Sequence, residues 1–496
     1  MNILDDLIAW FSPGMAAKRA QYRHVLAAYE GSKPSRYRKD KPDNSSGDAL
    51  TSLAGSKLRG YARVLDQNHD IARGILTTLV NNVVGAGGIS IEPQPRDEGG
   101  EINAELAAQL MDLWRDWAIR PEVTHCHDWT EVERLVSRAW LRDGEALAQM
   151  IPGSMRALDH GTIVPFSLEL LEADMIADLD DESKGIAQGV ERNQWGRPIA
   201  YHLYLTHPGD NTIGKGLTVK RVRSDRIQHL KMVDRFRQAR GVSVFSSVLQ
   251  RLEHIKGYEE SEMVAARVAA AMTGFIKRND LDSSYTAPES GEDDRSFKMV
   301  PGMVYDKLLP GEDVGTIQSN RPSMLLEPFR DAMLRAVGSG TGANYSSISK
   351  NYNGTYSAQR QELVEGWPNY RALTRLFVSQ FTRPVWRQFV ATAAATGAVQ
   401  LGGMDLWQAW DADFRGPPMP WIDPLKEASA NEKQIRAVLK SAPQVIRDLG
   451  GNPKDVLDQE ALWREMLRER GVTSAADPAQ DDTGDMADDE NIRATG

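Results

Sequence analysis

At 496 residues, with 41% hydrophobic and 26% charged side chains, the sequence has the composition of a globular protein with room for two to four domains. A formal charge of −10 argues against a simple sequence-specific DNA binder, which is basic somewhere on its surface, but leaves room for a protein that contacts DNA without holding it. One cysteine excludes an internal disulfide framework, no apolar run reaches the roughly 18 residues of a membrane span, and Asp5 and Asp6 interrupt the first apolar stretch where a signal peptide would be continuous.

Short N-terminal helices are expected from Ile3, Leu4, Leu7, Ile8 and Phe11 and from the basic segment that follows Pro13. Residues 31–48 are polar and read as a linker or mobile arm. Apolar residues at helical spacing predict one long helix over 48–84, broken by Gly85-Ala86-Gly87-Gly88. A strand over 89–93, helices over 104–118 and 129–141 and a strand over 146–151 come next. Between Phe166 and Met232, short alternating runs separated by Gly, Pro, Asn and Asp predict a β-rich subdomain.

The longest element is expected over 242–272. Phe245, Val248, Leu249, Leu252, Ile255 and Tyr258 recur at spacings of three and four, and Ala265, Ala266, Ala269 and Ala270 make its far end small. About thirty residues at ~1.5 Å each span roughly 45 Å, so such a helix needs a partner along its length. Ser243 or Ser246 can cap its start and Gly274 can end it in a left-handed turn. Residues 278–296 form an acidic excursion, followed by strands over 299–305 and 314–317. Helices are expected over 325–337, 357–394, 424–439 and 459–470, with a Gly/Ser/Tyr/Asn-rich loop over 338–355, an irregular stretch ending at Trp421 and a disordered acidic tail from Ala475.

Motifs with chemistry are few. Gly209-Asp-Asn-Thr-Ile-Gly214-Lys215 has the spacing of a phosphate-binding loop, but Gly216 stands where Ser or Thr should ligate magnesium, and the next residues alternate like a strand. A β-hairpin loop is the better reading. His125-Cys126-His127-Asp128 lacks a second ligand pair at zinc spacing, so no metal is expected. Gly338-Ser-Gly340-Thr-Gly342 has no strand before it, as a dinucleotide site requires. Asp143 and Glu145 read as solvated acids on a turn. No catalytic residues and no cofactor are expected, and a structural or assembly role leads.

Several stretches in one order resemble the lambda-like family of bacteriophage portal proteins. They are Leu58-Arg59-Gly60-Tyr61-Ala62-Arg63, Trp114-Arg-Asp-Trp117, Asp143-Gly144-Glu145, Gly189-Val190-Glu191, Arg240-Gly241, Pro301-Gly302, and Asn344 through Arg360. Lys350-Asn351-Tyr352 and Ser357-Ala358-Gln359-Arg360 depart in detail from the family's usual residues. The resemblance covers about residues 12–421 and implies an α+β portal-type fold. N-terminal helices and a mobile arm would occupy 1–47, a mixed α/β wing 48–241 and a stem helix 242–277. A clip-proximal excursion would follow over 278–324, a tunnel loop with helices and wing return over 325–422, and a helical crown over 423–474 before the acidic tail.

The family forms a ring, typically of twelve subunits, at one capsid vertex, through which double-stranded DNA enters and leaves. The implied partners are the terminase large subunit, a head–tail adaptor, the major capsid and scaffold proteins, and DNA bound without sequence preference, with assembly in the bacterial cytoplasm. Tyr345, Lys350, Asn351, Tyr352 and Arg360 become candidate channel residues, and Ala265, Ala266, Ala269 and Ala270 candidate ring contacts. Lys350 and Arg360 serve equally well as intersubunit ion pairs. The rival readings are a nucleotide-dependent nucleic-acid-processing enzyme and another head–tail ring component.

Overall fold

The computed structural model describes residues 44–154, 158–210, 218–270, 274–278, 312–316, 326–420 and 423–472, with backbone alone at 268–270, 274–278 and 312–316. The expected N-terminal helices, most of the acidic excursion, the strand over 299–305 and the acidic tail lie outside them. The chain divides into units of residues 1–46 and 47–496, and every helix and strand described belongs to the second.

The segment expected as one helix over 48–84 is two, α1 (Gly47–Asn68) and α2 (Asp70–Val83). His69 breaks them: its backbone is extended, and its buried ring bonds the Leu252 carbonyl at 3.0 Å through Nε2. Strand β1 (Ser90–Pro93) pairs antiparallel with β11 (Ala412–Arg415), near the far end of the chain in a stretch expected to be irregular. Helix α3 (Ala104–Ala118) starts where Asn103 accepts the Leu106 N–H, and α4 (Trp129–Asp143) starts with a capping box between Asp128 and Glu131. Asp128 thus caps a helix beside His125, Cys126 and His127.

Strands β2 (Glu145–Pro152), β3 (Phe166–Leu171) and β8 (Ile227–Lys231) make a sheet in the order β3-β2-β8. A second antiparallel sheet runs β4 (Ile186–Ala187), β5 (Val190–Arg192), β6 (Pro198–Tyr204), β7 (Val219–Arg223), and its Val190, Tyr201 and Leu203 share a small core with Ile176, Leu147 of β2 and Ile227 of β8. The strands expected between Phe166 and Met232 are therefore present, with β3 and β8 joined to β2 from outside that stretch.

The long helix is shorter than expected: α5 spans Leu249–Ala270 after turns over 244–248. Phe245, Val248, Leu252 and Ile255 are buried as their spacing predicts. Gly274 does not end it in a left-handed turn but opens β9 (Gly274–Arg278), which pairs with β10 (Glu312–Thr316). Helix α6 (Leu326–Thr341) runs through Gly338 and Gly340, where a loop was expected. The reason is close packing: a Cβ at Gly340 would lie 2.5 Å from Val248 Cγ1. Next come α7 (Tyr345–Ser349) and α8 (Tyr356–Phe377), which a π-turn over Val378–Thr382 joins to α9 (Arg383–Thr396). The short α10 (Leu406–Ala409) precedes β11, and α11 (Pro424–Arg436), α12 (Ala442–Asp448) and α13 (Pro453–Glu469) close the described chain.

An aromatic core binds these segments. Trp114 lies 4.6–5.3 Å, centroid to centroid, from Trp117, Trp129, Trp386 and Phe389, and Trp117 stacks on Phe166 at 5.3 Å. The Trp117 indole N–H donates to the Phe166 carbonyl at 2.7 Å, so its polar atom is satisfied while the ring is buried.

The Asp143-Gly144-Glu145 turn was expected to carry solvated acids; both are buried and paired instead. Glu145 accepts from Arg240 Nη2 at 2.6 Å, Arg59 Nη1 at 3.2 Å, His229 Nε2 at 3.0 Å and the Gly241 N–H at 3.0 Å. Asp143 accepts from Arg63 and Arg142, each at 2.7 Å. Asp174 joins through Arg59 at 3.1 Å. The backbones touch: a Cβ on Gly241 would lie 2.0 Å from the Gly144 carbonyl oxygen, and Gly144 has φ 85°. Motifs scattered over some 180 positions are therefore one ionic cluster pinning α1, the α4–β2 turn and the entry to α5.

Burial alone would raise the Glu145 carboxyl, but the Arg240 guanidinium, with His229, holds it far below the usual carboxylate range. Its stabilisation is therefore present above about pH 4.5 and is lost as pH falls through the depressed folded value. Arg240→Ala leaves the Glu145 charge buried with weaker compensation. It should cost ~3–5 kcal/mol in urea unfolding at neutral pH; a loss below about 1 kcal/mol would contradict the role given to the cluster.

Glu133 is buried without such help. It accepts from Thr382 Oγ1 at 2.6 Å and the Ile89 N–H at 2.7 Å, tying α4 to the π-turn. Burial raises its carboxyl to about 8, those hydrogen bonds opposing. The folded state keeps a proton that the unfolded chain loses near pH 4.5, so this group's penalty grows as pH rises toward 8 and is level beyond. Glu133→Gln keeps an oxygen to accept the Ile89 N–H and turns an amide donor toward Thr382 Oγ1, as the protonated acid does, without a titration. Between pH 5 and 8 wild type should lose on the order of a few kcal/mol relative to the variant; parallel pH–stability curves would show that Glu133 is not held neutral.

Candidate nucleic-acid interface

The loop between α7 and α8 is built from side chains that hold its turns. The Asn344 N–H donates to Tyr370 Oη at 3.1 Å and the Ser346 N–H to Glu362 Oε1 at 3.0 Å, fixing α7 against α8. Lys350 ends α7 in the left-handed region, with φ 56°. The Asn351 N–H donates to Ser349 Oγ at 3.2 Å, and Asn351 Oδ1 accepts the Asn353 N–H at 3.0 Å. Gln359 Nε2 donates to the Tyr352 carbonyl, and Thr355 caps α8 by accepting the Ala358 N–H at 3.3 Å. The polar residues that make this stretch look like a loop in the sequence are its internal scaffold.

The candidate channel residues sit differently within it. Lys350 is exposed and has no ion pair among the described residues. Tyr352 is exposed and Asn351 half-buried. Tyr345 faces inward, half-buried, with the Arg335 guanidinium 5.0 Å above its ring. Arg360 pairs with Glu427 of α11 at 3.6 Å and lies 3.4 Å from Tyr356 Oη. Lys426 sits 6.0 Å over the Tyr356 ring. The exposed part of the loop is thus Lys350 and Tyr352 through Thr355, while Arg360 and Tyr356 join α8 to α11. That junction depends on residues about 70 positions apart, for which the sequence carries no signal.

On α5, Ala265 and Ala266 are half-buried beside exposed Met263 and Val264. The side chains of Ala269 and Ala270 lie outside the described ones. Glu172, Asp174 and His207 bring potential ligand atoms within 4.8 Å of one another. Arg63 Nη2 already lies 3.2 Å from Glu172 and 2.6 Å from Asp174, so the acids are neutralised by a guanidinium. The near-miss at Gly209–Lys215 falls between the antiparallel strands β6 and β7, whose register reaches Tyr204 opposite Val219. Residues 211–217 of this stretch lie outside the described ones, and the next described element is strand β7. Among the described helices none is long and apolar enough to cross a membrane.

A probable portal protein of Halomonas phage phiHAP-1 is 24% identical over 469 residues, covering 88% of this chain and 87% of that protein. Portal protein B of Escherichia phage lambda is 21% identical over 263 residues, 47% of this chain and 49% of that one. Among solved structures, a chain from the virion of a native gene transfer agent particle superposes with a TM-score of 0.45 and 15% identity, over 82% of this chain and 99% of that chain. A chain from the neck of the native particle gives 0.42 and 16%, over 79% and 94%. The family model for the phage portal protein, lambda family, matches residues 33–373, more than half of the sequence, and the chain belongs to that family.

Proposed function

We propose that the protein forms the ring at a capsid vertex through which double-stranded DNA passes during packaging and ejection, with twelve copies around the channel. Membership of the portal family carries this reading. The wing, stem, clip and crown divisions are proposed with the boundaries that the sequence suggests. The terminase large subunit, a head–tail adaptor and the capsid and scaffold proteins are its proposed contacts, and the host cytoplasm its place of assembly. The role is structural. A rival nucleotide-driven reading would place a phosphate at Gly209–Lys215, most of which lies outside the described residues; the flanking strands β6 and β7 pair antiparallel, whereas such a loop leads into a helix.

The C-terminal helices support self-assembly. No residue of α11 or α13 is buried and only Val445 is in α12, yet Leu425 and Val438 are 80% and 89% exposed, alongside Leu439, Leu457, Leu462 and Trp463. Side chains this apolar and this exposed can be buried against an identical neighbour in a ring. A net charge of −10 suits a conduit, because a surface that neutralised many phosphates would hold the duplex in place. A lone exposed cation such as Lys350 gives weak, reversible contact.

Lys350→Glu should lower the yield of DNA-filled heads while leaving ring assembly intact, as read by packaging assay and native mass spectrometry. Normal yields would remove Lys350 from the channel. Replacing Leu425, Val438 and Leu439 together with Ser should shift the particle toward smaller species, because these side chains have little intrachain packing to lose. Unchanged mass would show that the C-terminal helices face something other than a neighbour.

A further inference from the structure

Two aromatic side chains stand in solvent on neighbouring loops far along the chain from the candidate channel residues. Phe236 is 101% exposed and Trp195 81%. Trp195 lies in the turn between β5 and β6, and Phe236 in the segment after β8. Arg237 ties the loops together: its Nη2 donates to the Gln194 carbonyl at 3.4 Å, and its own carbonyl accepts from Arg192 Nη1 at 2.9 Å. Arg237 also has φ 62°, a conformation that costs a non-glycine residue free energy and turns the loop at Phe236 outward.

Beside them lies a cavity of about 360 Å³, with Val190, Pro198, Val233 and Phe236 among its walls. Four cations line it, Arg192, Lys231, Arg235 and Arg237, against one lining acid, Asp234. The patch is therefore positive in a chain whose net charge is −10. An aromatic pair, arginines and an apolar recess are the side chains that dominate binding energy at protein interfaces.

We propose that this patch docks an acidic segment of a second protein, with an apolar side chain in the recess beside Phe236 and a carboxylate against Arg237. Charge complementarity selects the acidic partner. The geometry disfavours nucleic acid. Lys231 Nζ is turned inward onto the Gln238 and Ala239 carbonyls at 2.8 and 3.2 Å, and Arg192 is held by Asp48 at 2.7 Å. The outward charge is a compact point, whereas a nucleic-acid backbone is tracked by a stripe of cations.

The test uses the full chain and a short fluorescein-labelled peptide of Glu and Asp with central leucines. A Ser-for-acid control peptide and an oligothymidylate are run in parallel by fluorescence anisotropy. Phe236→Ala removes a side chain that packs on nothing, and Arg237→Gly removes a charge while suiting the positive φ. The acidic peptide should bind wild type, bind each variant roughly tenfold more weakly and dissociate in high salt, and the Ser control should not bind. Failure of wild type to bind it, or binding by both variants as tight as that of wild type, would overturn the proposal. So would oligothymidylate binding that is lost in the same variants, which assigns the patch to nucleic acid. Loss of self-association in Phe236→Ala, seen by native mass spectrometry, would assign it to a neighbouring copy and overturn it equally.

Discussion

The buried Glu145 carboxylate is the constraint on which the rest of the described structure depends. It sits at the start of the central strand β2 and collects Arg59 from α1, His229 from β8 and Arg240 with Gly241 from the entry to α5. Each partner comes from a different stretch of chain, so satisfying one charge fixes three elements at once. A buried ion cluster is a poor source of net stability compared with apolar packing, but it penalises every arrangement in which one member is displaced. The glycines at 144 and 241 allow the two backbones to meet, which brings the Gly241 N–H within reach of the carboxylate.

This arrangement changes what the family-like motifs mean. Short polar motifs with Asp, Glu and Arg invite a catalytic reading. Here they are the fastening between a mixed α/β body and the helix that leaves it, and the chemistry is electrostatic positioning. The aromatic cluster around Trp114 makes a second such fastening through dispersion and burial, joining α3, α4 and β3 to α9. A protein that withstands the passage of a stiff, charged polymer needs a body that does not shear, and long-range fastenings of this kind provide one.

Much of the fold was legible because its signals are local. The bounds of α3 and the buried face of α5 followed from the apolar period, and the strands between Phe166 and Lys231 from short alternating runs, whereas the caps expected at Ser243 or Ser246 and at Gly274 do not bound α5. What was not legible depends on distant partners. The break at His69 is set by the Leu252 carbonyl, and the continuation of α6 through Gly338 and Gly340 by packing on Val248 and Ala343. The burial of Asp143 and Glu145 is set by arginines some 80 to 100 positions away. The candidate site divides in the same way. The loop that carries exposed Lys350 and Tyr352 is visible as a polar run, whereas the engagement of Arg360 by Glu427 is a tertiary event.

That this chain builds a DNA-conducting ring is tested most directly by imaging it. The full chain would be purified after expression alone and after co-expression with its phage's capsid and scaffold proteins, then measured by native mass spectrometry and negative-stain microscopy. Rings of about a dozen subunits around a hole wide enough for a DNA duplex (on the order of 20 Å, judged against the groove dimensions of B-DNA) are the predicted result. A monomer under both conditions, or a closed assembly without a central opening, would contradict it.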